Sequence, residues 1–288
     1  MKAIFKRELK SYFESMTGYV FIAFLVMFIG IYFLAYNLSS GYPYFSYTLS
    51  AVLLIMSIGV PVLTMRCFAD ERKTKTDQLL LTAPVSVWEI VLGKYLAMTV
   101  VFLVPVLICC LCPLIIQANG TAYLLADYST IFAFFLIGCL FISIGMFLSS
   151  LTESQIIAAV GTFVVLLCLM LWDGLVAFLP TTAKGSAIGF FVILMAVCVI
   201  LYQMIEDYRV ALGIGVLGTA ALAGIYVWKE DTFDRALVNL LEHFDVVSVF
   251  DQFAVSHTFD VSGVILYLSA IFLFLFLTMQ SVEKRRWS

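Results

Sequence analysis

The residues of this chain that could carry out covalent or metal chemistry are few. The only histidines are His243 and His257, and the seven cysteines include the run Cys109-Cys110-x-Cys112. Neighbouring residues of a helix point in different directions, and this run lies in an apolar setting without a histidine, so small apolar filler is the better interpretation. The motifs H-E-x-x-H, G-x-S-x-G and G-x-x-x-x-G-K-[ST] do not occur. The sequence therefore predicts no catalytic residue, metal site, cofactor or ATPase site in this chain.

The densest polar segment runs from Arg66 to Lys94, and its chemistry would be non-covalent. It begins with a charged head around Glu71, continues through an apolar run at Leu79–Leu81, and is stopped by Pro84. Ser86 is then a good N-cap for a helix through Trp88, Glu89 and Ile90. The segment is either an interfacial connector or a docking element for a cytosolic partner.

The elements that hold this segment are predicted to be membrane-spanning helices. The chain is 63% hydrophobic and 12% charged, whereas soluble domains carry about 25% charged residues. A span needs about 20 mostly apolar residues, and helices satisfy their own backbone groups in lipid. We predict an all-α polytopic membrane protein with eight spans: Gly18–Leu38, Tyr47–Met65, Lys94–Gln117, Tyr128–Ser149, Gln155–Leu175, Ser186–Met204, Val210–Trp228 and Gly263–Met279.

Positive charge predicts the orientation of these spans. Cytoplasmic loops retain Lys and Arg. With the N-terminus inside, thirteen of the 16 basic residues fall inside, and only Lys184, Lys229 and Arg235 fall outside. The expected localisation is the bacterial cytoplasmic (inner) membrane, multi-pass, with both termini cytoplasmic. Charge alone does not prove that the pair Ser186–Met204 and Val210–Trp228 crosses, because deleting both preserves parity. The net charge of −3 is too weak to indicate a nucleic-acid partner.

Two stretches outside the spans have helical amphipathic patterns. Residues 1–15 place apolar and basic side chains on opposite faces, which favours a cytoplasmic interfacial helix over a generic basic flank. In the outer stretch Thr232 to His257, Leu237, Leu240, Leu241 and Phe244 recur at helical spacing and predict an amphipathic helix before the last span. Residues 16–288 are predicted to form one transmembrane domain, with a cytoplasmic loop at 66–93 and an extracytoplasmic segment at 229–262.

The cytoplasmic loop resembles the signature of type-2 ABC exporter permeases. Glu71-Arg72, Thr76, Leu79-Leu80, Pro84, Ser86 and Gly93-Lys94 match that pattern in order and spacing. The glycine usual before the threonine is Lys75 here, so we expect the local turn to differ. The resemblance implies that a helix over Glu71–Leu81 couples to an ATPase, with coupling residues Asp70, Glu71, Arg72, Lys73, Thr76, Asp77, Leu79, Leu80 and Pro84. It also implies a second inner loop at Thr152 and Glu153.

The same resemblance implies a six-span permease core, to which residues 186–228 add an inserted helical pair. The expected function is the permease subunit of an ABC exporter that couples ATP hydrolysis in a separate cytosolic ATPase to substrate movement. ATP and magnesium would bind that partner. Other expected partners are a second permease copy or a paralogue, an extracytoplasmic accessory subunit and membrane lipid. A non-transport membrane scaffold or a polytopic enzyme is the alternative.

The C-terminal tail narrows this resemblance. Phe244-Asp245, Phe250-Asp251, Val261-Ser262-Gly263-Val264, Tyr267-Leu268-Ser269 and Arg285-Arg286-Trp287 resemble the end of the gliding-motility-type permease branch. Its usual features are a Phe-rich outer segment, a last span and a closing basic-Trp end. Membership of this branch does not imply gliding.

Overall fold

A computed structural model describes residues 1–76, 85–191, 194–195, 219 and 235–287. These residues are mostly helical: α1 Lys2–Glu14, α2 Met16–Tyr32 with a π-helical continuation Phe33–Ser39, α3 Ser46–Thr64, α4 Ala69–Lys73, α5 Val87–Cys109, α6 Cys112–Asn119, α7 Leu124–Leu151, α8 Gln155–Met170, α9 Trp172–Ala177, α10 Ala236–Glu242, α11 Val246–Ala254 and α12 Val261–Trp287. Residues 183–191 are helical as well. The prediction of an all-helical protein is confirmed for the described residues.

Five helical segments of the described chain are long and apolar enough to cross a membrane. They are Met16–Ser39, Ser46–Lys73, Val87–Asn119, Leu124–Leu151 and Val261–Arg285. They coincide with the first four predicted spans and the last. The predicted span Gln155–Leu175 is instead the shorter apolar helix α8, followed by the separate helix α9. Most of the predicted pair Ser186–Met204 and Val210–Trp228 lies outside the described residues, so the total of eight spans stays a prediction.

The larger of two compact units contains Met1–Met170 and Val246–Ser288. Helix α7 is its centre and packs against α3, α5, α8, α11 and α12. Within its most apolar window 78% of residues are buried, against 28% for α2 and for α12. Helices α2 and α12 therefore lie at the periphery of this unit, where apolar side chains such as Met16, Tyr19 and Phe272 are exposed.

The smaller unit comprises Leu171–Asp245, in which α9 packs against α10. The Trp172 indole donates a hydrogen bond to the Leu241 carbonyl at 2.8 Å. In the outer stretch Thr232 to His257, helix α10 contains Leu237, Leu240 and Leu241 of the predicted pattern and ends at Glu242, before Phe244. The amphipathic helix before the last span stays a prediction. The described part of this stretch forms two helices, α10 and α11, since Phe244 N–H and Asp245 N–H bond three residues back and tighten the last turn of α10. Leu237 is buried, whereas Leu240 and Phe244 are exposed, so the predicted apolar face is not buried as a unit.

The elbow between α1 and α2 depends on Gly18. A Cβ at this position would lie 2.5 Å from the Tyr12 carbonyl oxygen, closer than real Cβ contacts allow. The Tyr12 hydroxyl in turn donates to the Leu63 carbonyl at 3.3 Å. The close approach of α1 to the start of α2 therefore requires glycine at position 18.

We expect Gly18→Ala to destabilise the protein by about 1–3 kcal/mol, because the clash is with backbone and the elbow must open. Thermal unfolding in detergent and proteolysis of residues 1–15 measure the effect. Gly30→Ala is the matched control, since a Cβ at position 30 would have no atom within 4 Å among the described residues. Equal melting temperatures for both variants would contradict the role given to Gly18.

Candidate functional site

The site forms around the first two turns of α5. Ser86 caps this helix as predicted, and its hydroxyl accepts a hydrogen bond from Glu89 N–H at 3.3 Å. The helix then runs without a break through Gly93 and Lys94 to Cys109. The predicted cytoplasmic loop at 66–93 stays a prediction, because the start of a helix does not locate the membrane surface. Gly93 and Lys94 are part of a helix that starts at Val87, because the cap lets the helix form well before the apolar run begins.

Gly93 lets α1 approach α5 closely. A Cβ at Gly93 would lie 3.1 Å from Ile4 Cγ2 and 3.4 Å from the backbone nitrogen of Phe5. These contacts are tighter than most real Cβ contacts, so a larger residue would push α1 away from α5. Helix α1 is thus packed against a long apolar helix along one side, and the basic residues on its other side are exposed.

Lys94 is the centre of a buried charge cluster. Its side chain is only 2% exposed. The ammonium lies 2.8 Å from Glu71 Oε1 and 3.3 Å from Glu8 Oε1, and it donates to the Cys67 carbonyl at 3.1 Å. The Phe68 ring centroid is 5.4 Å away. A buried ammonium is tolerated when it is paired and hydrogen-bonded in this way, so one cation joins α1, the head of the loop and α5.

Arg7 completes the cluster from the solvent side. Its guanidinium donates to Glu8 Oε1 at 2.8 Å and to Glu71 Oε1 at 3.4 Å, and 55% of its side chain is exposed. The hydrogen bond to Glu8 is the main cause that raises the pKa of Arg7. Burial alone would raise the pKa of Glu8, but the attraction of Lys94 and Arg7 outweighs it and lowers the pKa below its ordinary value. Both carboxylates are therefore held in place by charge.

The lowered pKa of Glu8 predicts how α1 docking depends on pH. A carboxylate with a depressed pKa stabilises the fold above its ordinary pKa and loses that stabilisation as the pH falls through the lowered value. We expect α1 to stay docked at neutral pH and to loosen below about pH 4. Melting curves from pH 3 to 7 test this for the wild type and Glu8→Gln. The wild type should lose its advantage at the acidic end, while Glu14→Gln, an exposed change on the same helix, should follow the wild type.

The head of the loop, α4, is also held by the two helices beneath it. Ser149 of α7 accepts hydrogen bonds from the N–H groups of Phe68 and Ala69 at 3.1 and 3.2 Å, and its hydroxyl donates to the Met65 carbonyl at 3.2 Å. Gln155 of α8 donates to an Asp70 carboxylate oxygen. Ser149 thus caps the first turn of α4 from another helix. Helix α4 is fastened to α1, α5, α7 and α8.

Helix α4 ends much earlier than the predicted helix over Glu71–Leu81. Thr76 N–H bonds to the Glu71 carbonyl at 2.9 Å and Lys75 N–H to the Arg72 carbonyl at 3.1 Å, which is the Schellman pattern of a helix C-terminus. Lys75 has φ 57°, in the left-handed region that glycine favours. Lys75 thus occupies the left-handed position of the turn that ends this helix, whose last residue is Lys73.

We expect Lys75→Gly to stabilise this turn by about 1 kcal/mol, because a residue with a Cβ is strained in the left-handed region. Melting temperature in detergent is the measurement. Lys75→Ala is the control, since it removes the charge and keeps the Cβ. If both variants melted together, backbone strain at this position would not explain the change.

The structure divides the predicted coupling residues into two groups. Asp70, Glu71 and Arg72 belong to the packed face of α4: Asp70 bonds to Gln155, Glu71 to Lys94, and Arg72 is buried. Lys73 and Thr76 are exposed. Asp77, Leu79, Leu80 and Pro84 lie outside the described residues. In the described part of the loop, residues 73–76 form a continuous exposed stretch at the end of α4, and Arg66 and Ser86 are exposed as well.

The second inner loop joins α7 to α8 and contacts the end of α12. The Thr152 hydroxyl donates to the Ser154 carbonyl at 2.9 Å and accepts from Ser154 N–H at 3.0 Å. Glu153 pairs with Arg285 at 3.3 Å, and Ser281 donates to the Ser150 carbonyl at 3.2 Å. This loop is therefore anchored to the last helix, α12. None of the bonds just described joins it to a residue of the Lys94 cluster.

Sequence reasoning missed the two buried charges that matter most to the packing. Lys94 was counted as an inside cation and as part of the signature Gly93-Lys94, without a partner, and Asp127 fell one residue outside a predicted span. Asp127 is buried, and its Oδ1 accepts from Phe45 N–H at 2.8 Å, just before α3. A signal was available in both cases: each charge adjoins a long apolar run, where an unpaired charge is costly.

Comparison with known proteins places the larger part of the chain in one family. Residues 3–212 match the family model described as ABC-2 family transporter protein. No curated protein and no solved structure matches the chain.

Proposed function

This chain belongs to the family of ABC-2 transporter proteins, and we propose that it is the permease subunit of an ATP-binding-cassette exporter. The family and the apolar helices make it a multi-pass membrane protein. In this proposal the chain hydrolyses no ATP. A separate cytosolic ABC ATPase binds ATP and magnesium and drives the movement of the helices.

The observation that best supports this function is the ion pair between the Lys94 ammonium and Glu71 Oε1, which are 2.8 Å apart. Glu71 lies on the packed face of α4, at the head of the loop, and Lys94 belongs to α5, which is long and apolar enough to continue as a span. Because the ion pair is buried and reinforced by Glu8, a displacement of α4 is passed on to α1 and α5 rather than absorbed by a loose loop. Residues 73–76 would contact the ATPase, and the Lys94 cluster would transmit the motion.

The proposed mechanism follows from these two roles, ATPase contact by residues 73–76 and transmission of motion by the Lys94 cluster. When ATP closes the two ATPase subunits, the two loop heads of a permease dimer are carried with them. The helices fastened to each head then favour an outward-open arrangement, because nucleotide binds the closed ATPases more tightly. A second permease copy or a paralogue completes the dimer. We place the loop head and both termini in the cytoplasm and the chain in the bacterial cytoplasmic membrane, as the distribution of Lys and Arg indicates.

The finer assignments rest on the sequence. The gliding-motility-type branch is proposed from the tail residues of Phe244 to Trp287, and an extracytoplasmic accessory subunit from the outer segments. The competing function is a non-transport scaffold of an envelope complex. A scaffold would need no ATPase and no rigid link between the loop head and a span.

Purification of the tagged chain from its native host in mild detergent tests the proposal, with ATPase activity assayed in the eluate. We expect a stoichiometric ATPase to co-purify. A pure, folded preparation without a nucleotide-binding partner would favour the scaffold and leave the Lys94 cluster with a structural role alone.

A further inference from the structure

A polar cavity of about 650 Å³ lies between α1, the α1–α2 elbow and the head of the loop. Its walls include Arg66, the hydroxyl residues Ser11, Ser15 and Thr17, and Asp70, together with the charged groups of the Lys94 cluster: Arg7, Glu8, Glu71 and Lys94. From this cavity we propose that the protein binds the phosphate group of a membrane phospholipid, with Arg66 as its principal cation. The proposed site shares this cavity with the Lys94 cluster, and its occupation does not depend on an ATPase.

The charges around the cavity single out Arg66. Arg7 and Lys94 are committed to Glu8 and Glu71. Asp70 accepts a hydrogen bond from Gln155. Arg66 is exposed and forms no ion pair within the part of the chain that the structure describes. A planar guanidinium that is free of carboxylates is well suited to two oxygens of a phosphate.

Hydroxyl groups supply the other donors that a phosphate needs. Ser11, Ser15 and Thr17 line the same cavity, and the Ser15 and Thr17 hydroxyl oxygens are 2.7 Å apart. Each hydroxyl has one proton, and the Ser15 hydroxyl also lies 3.4 Å from the Tyr12 carbonyl, to which it can donate. If Ser15 donates to Thr17 instead, the Thr17 hydroxyl is free to donate into the cavity. Among the described residues, the cavity therefore combines one cation without an ion pair with the hydroxyls of Ser11 and Thr17 as neutral donors, whereas its carboxylates are already bonded to other side chains.

The position of the cavity favours a lipid over free phosphate. Thr17 lies in the first turn of α2, and Arg66 follows the last residue of α3 by two positions. These two helices are packed together, so the cavity lies where two neighbouring spans end, at the level of lipid headgroups. Met16, Tyr19 and Val20 of α2 are exposed and apolar, and acyl chains can follow them from the headgroup into the membrane.

Occupation of this cavity would connect α1 to the loop head through the lipid. Ser11 belongs to α1 and Arg66 precedes α4. A headgroup that contacts both would hold the elbow closed, next to the ion pairs of Lys94. The amount and kind of phospholipid would then affect how firmly the loop head is held.

Native mass spectrometry of the full chain in detergent, titrated with phosphatidylglycerol, tests the site. We expect Arg66→Gln to weaken binding of the tightest lipid about tenfold, the loss of one charge-assisted contact. Ser11→Phe, which fills the cavity without changing its charge, should weaken it similarly. Lys6→Gln is the control, since Lys6 is an exposed cation of α1 that does not line the cavity.

A melting-temperature series with inorganic phosphate at the same concentrations separates the two sources of phosphate. Stabilisation by phosphatidylglycerol and not by phosphate is the expected result. Wild-type lipid binding in both Arg66→Gln and Ser11→Phe would overturn the proposal, as would equal stabilisation by inorganic phosphate. Neither outcome bears on whether an ATPase co-purifies, so this proposal and the transport function fail separately.

Discussion

Replacing Lys94 by methionine is expected to destabilise the protein by about 3–5 kcal/mol and to uncouple the loop head from the spans. Methionine fills nearly the same space, so the loss comes from the charges that remain. Without the ammonium, Glu8 and Glu71 lie close together in a largely buried site with only the half-exposed Arg7 as a partner. Breaking a buried pair in this way is strongly destabilising because a charge is left uncompensated.

A second variant separates stability from coupling. In the triple change Glu8→Gln, Glu71→Gln and Lys94→Met, no uncompensated charge remains, and we expect most of the melting temperature to return. This triple variant nevertheless lacks the ion pairs that join α1, α4 and α5. Transport and the ATP-dependent rearrangement of the spans should therefore remain lost, while the ATPase still co-purifies.

Two measurements distinguish a cluster that only stabilises the fold from one that also transmits motion. Thermal unfolding in detergent gives the stability of each variant, and distance probes on the outer ends of the spans report the ATP-dependent rearrangement in the complex. A single Lys94→Met variant with the wild-type melting temperature would contradict the buried cluster. A triple variant that rearranges as the wild type does would show that the cluster stabilises the fold without transmitting motion.

Reversing the charges at Lys73 and Lys75 should abolish most of the association with the ATPase while the fold persists. Both side chains are exposed at the end of α4, and neither takes part in the Lys94 cluster. Reversal places two carboxylates against whatever acidic surface the lysines would meet, and like charges at an interface cost several kcal/mol. We expect Lys73→Glu/Lys75→Glu to lower the affinity at least about tenfold.

The assay is co-purification of the ATPase at several salt concentrations. Lys2→Glu/Lys6→Glu is the matched control, because it also reverses two exposed lysines of the chain's N-terminal helix. Undiminished association in the Lys73/Lys75 variant would remove residues 73–76 from the docking surface. Glu71→Ala should also weaken association, because it leaves the buried Lys94 ammonium without its shortest ion pair and so disturbs α4, a charge imbalance that the triple variant does not have.

Much of the architecture followed from the sequence, because the forces that decide it act over short stretches of chain. Apolar length predicted the long helices α2, α3, α5, α7 and α12, since lipid leaves the backbone no other partner. The N-cap at Ser86 was predictable because its bond spans three residues. The end of α4 at Lys73 was not predictable, because the left-handed turn residue after it is Lys75 and not the glycine that usually marks such a turn.

The sequence by itself determined that this is a helical membrane protein with a charged loop between its second and third long helices, because hydropathy and capping are local properties. Only the tertiary structure decided what the charges of that loop do. Glu8, Glu71 and Lys94 are separated by 63 and 23 positions and meet where α1, α4 and α5 pack together, with Gly93 allowing α1 to approach α5 closely. The pairing energy of a buried charge depends on which groups surround it in space, and no spacing along the chain records that.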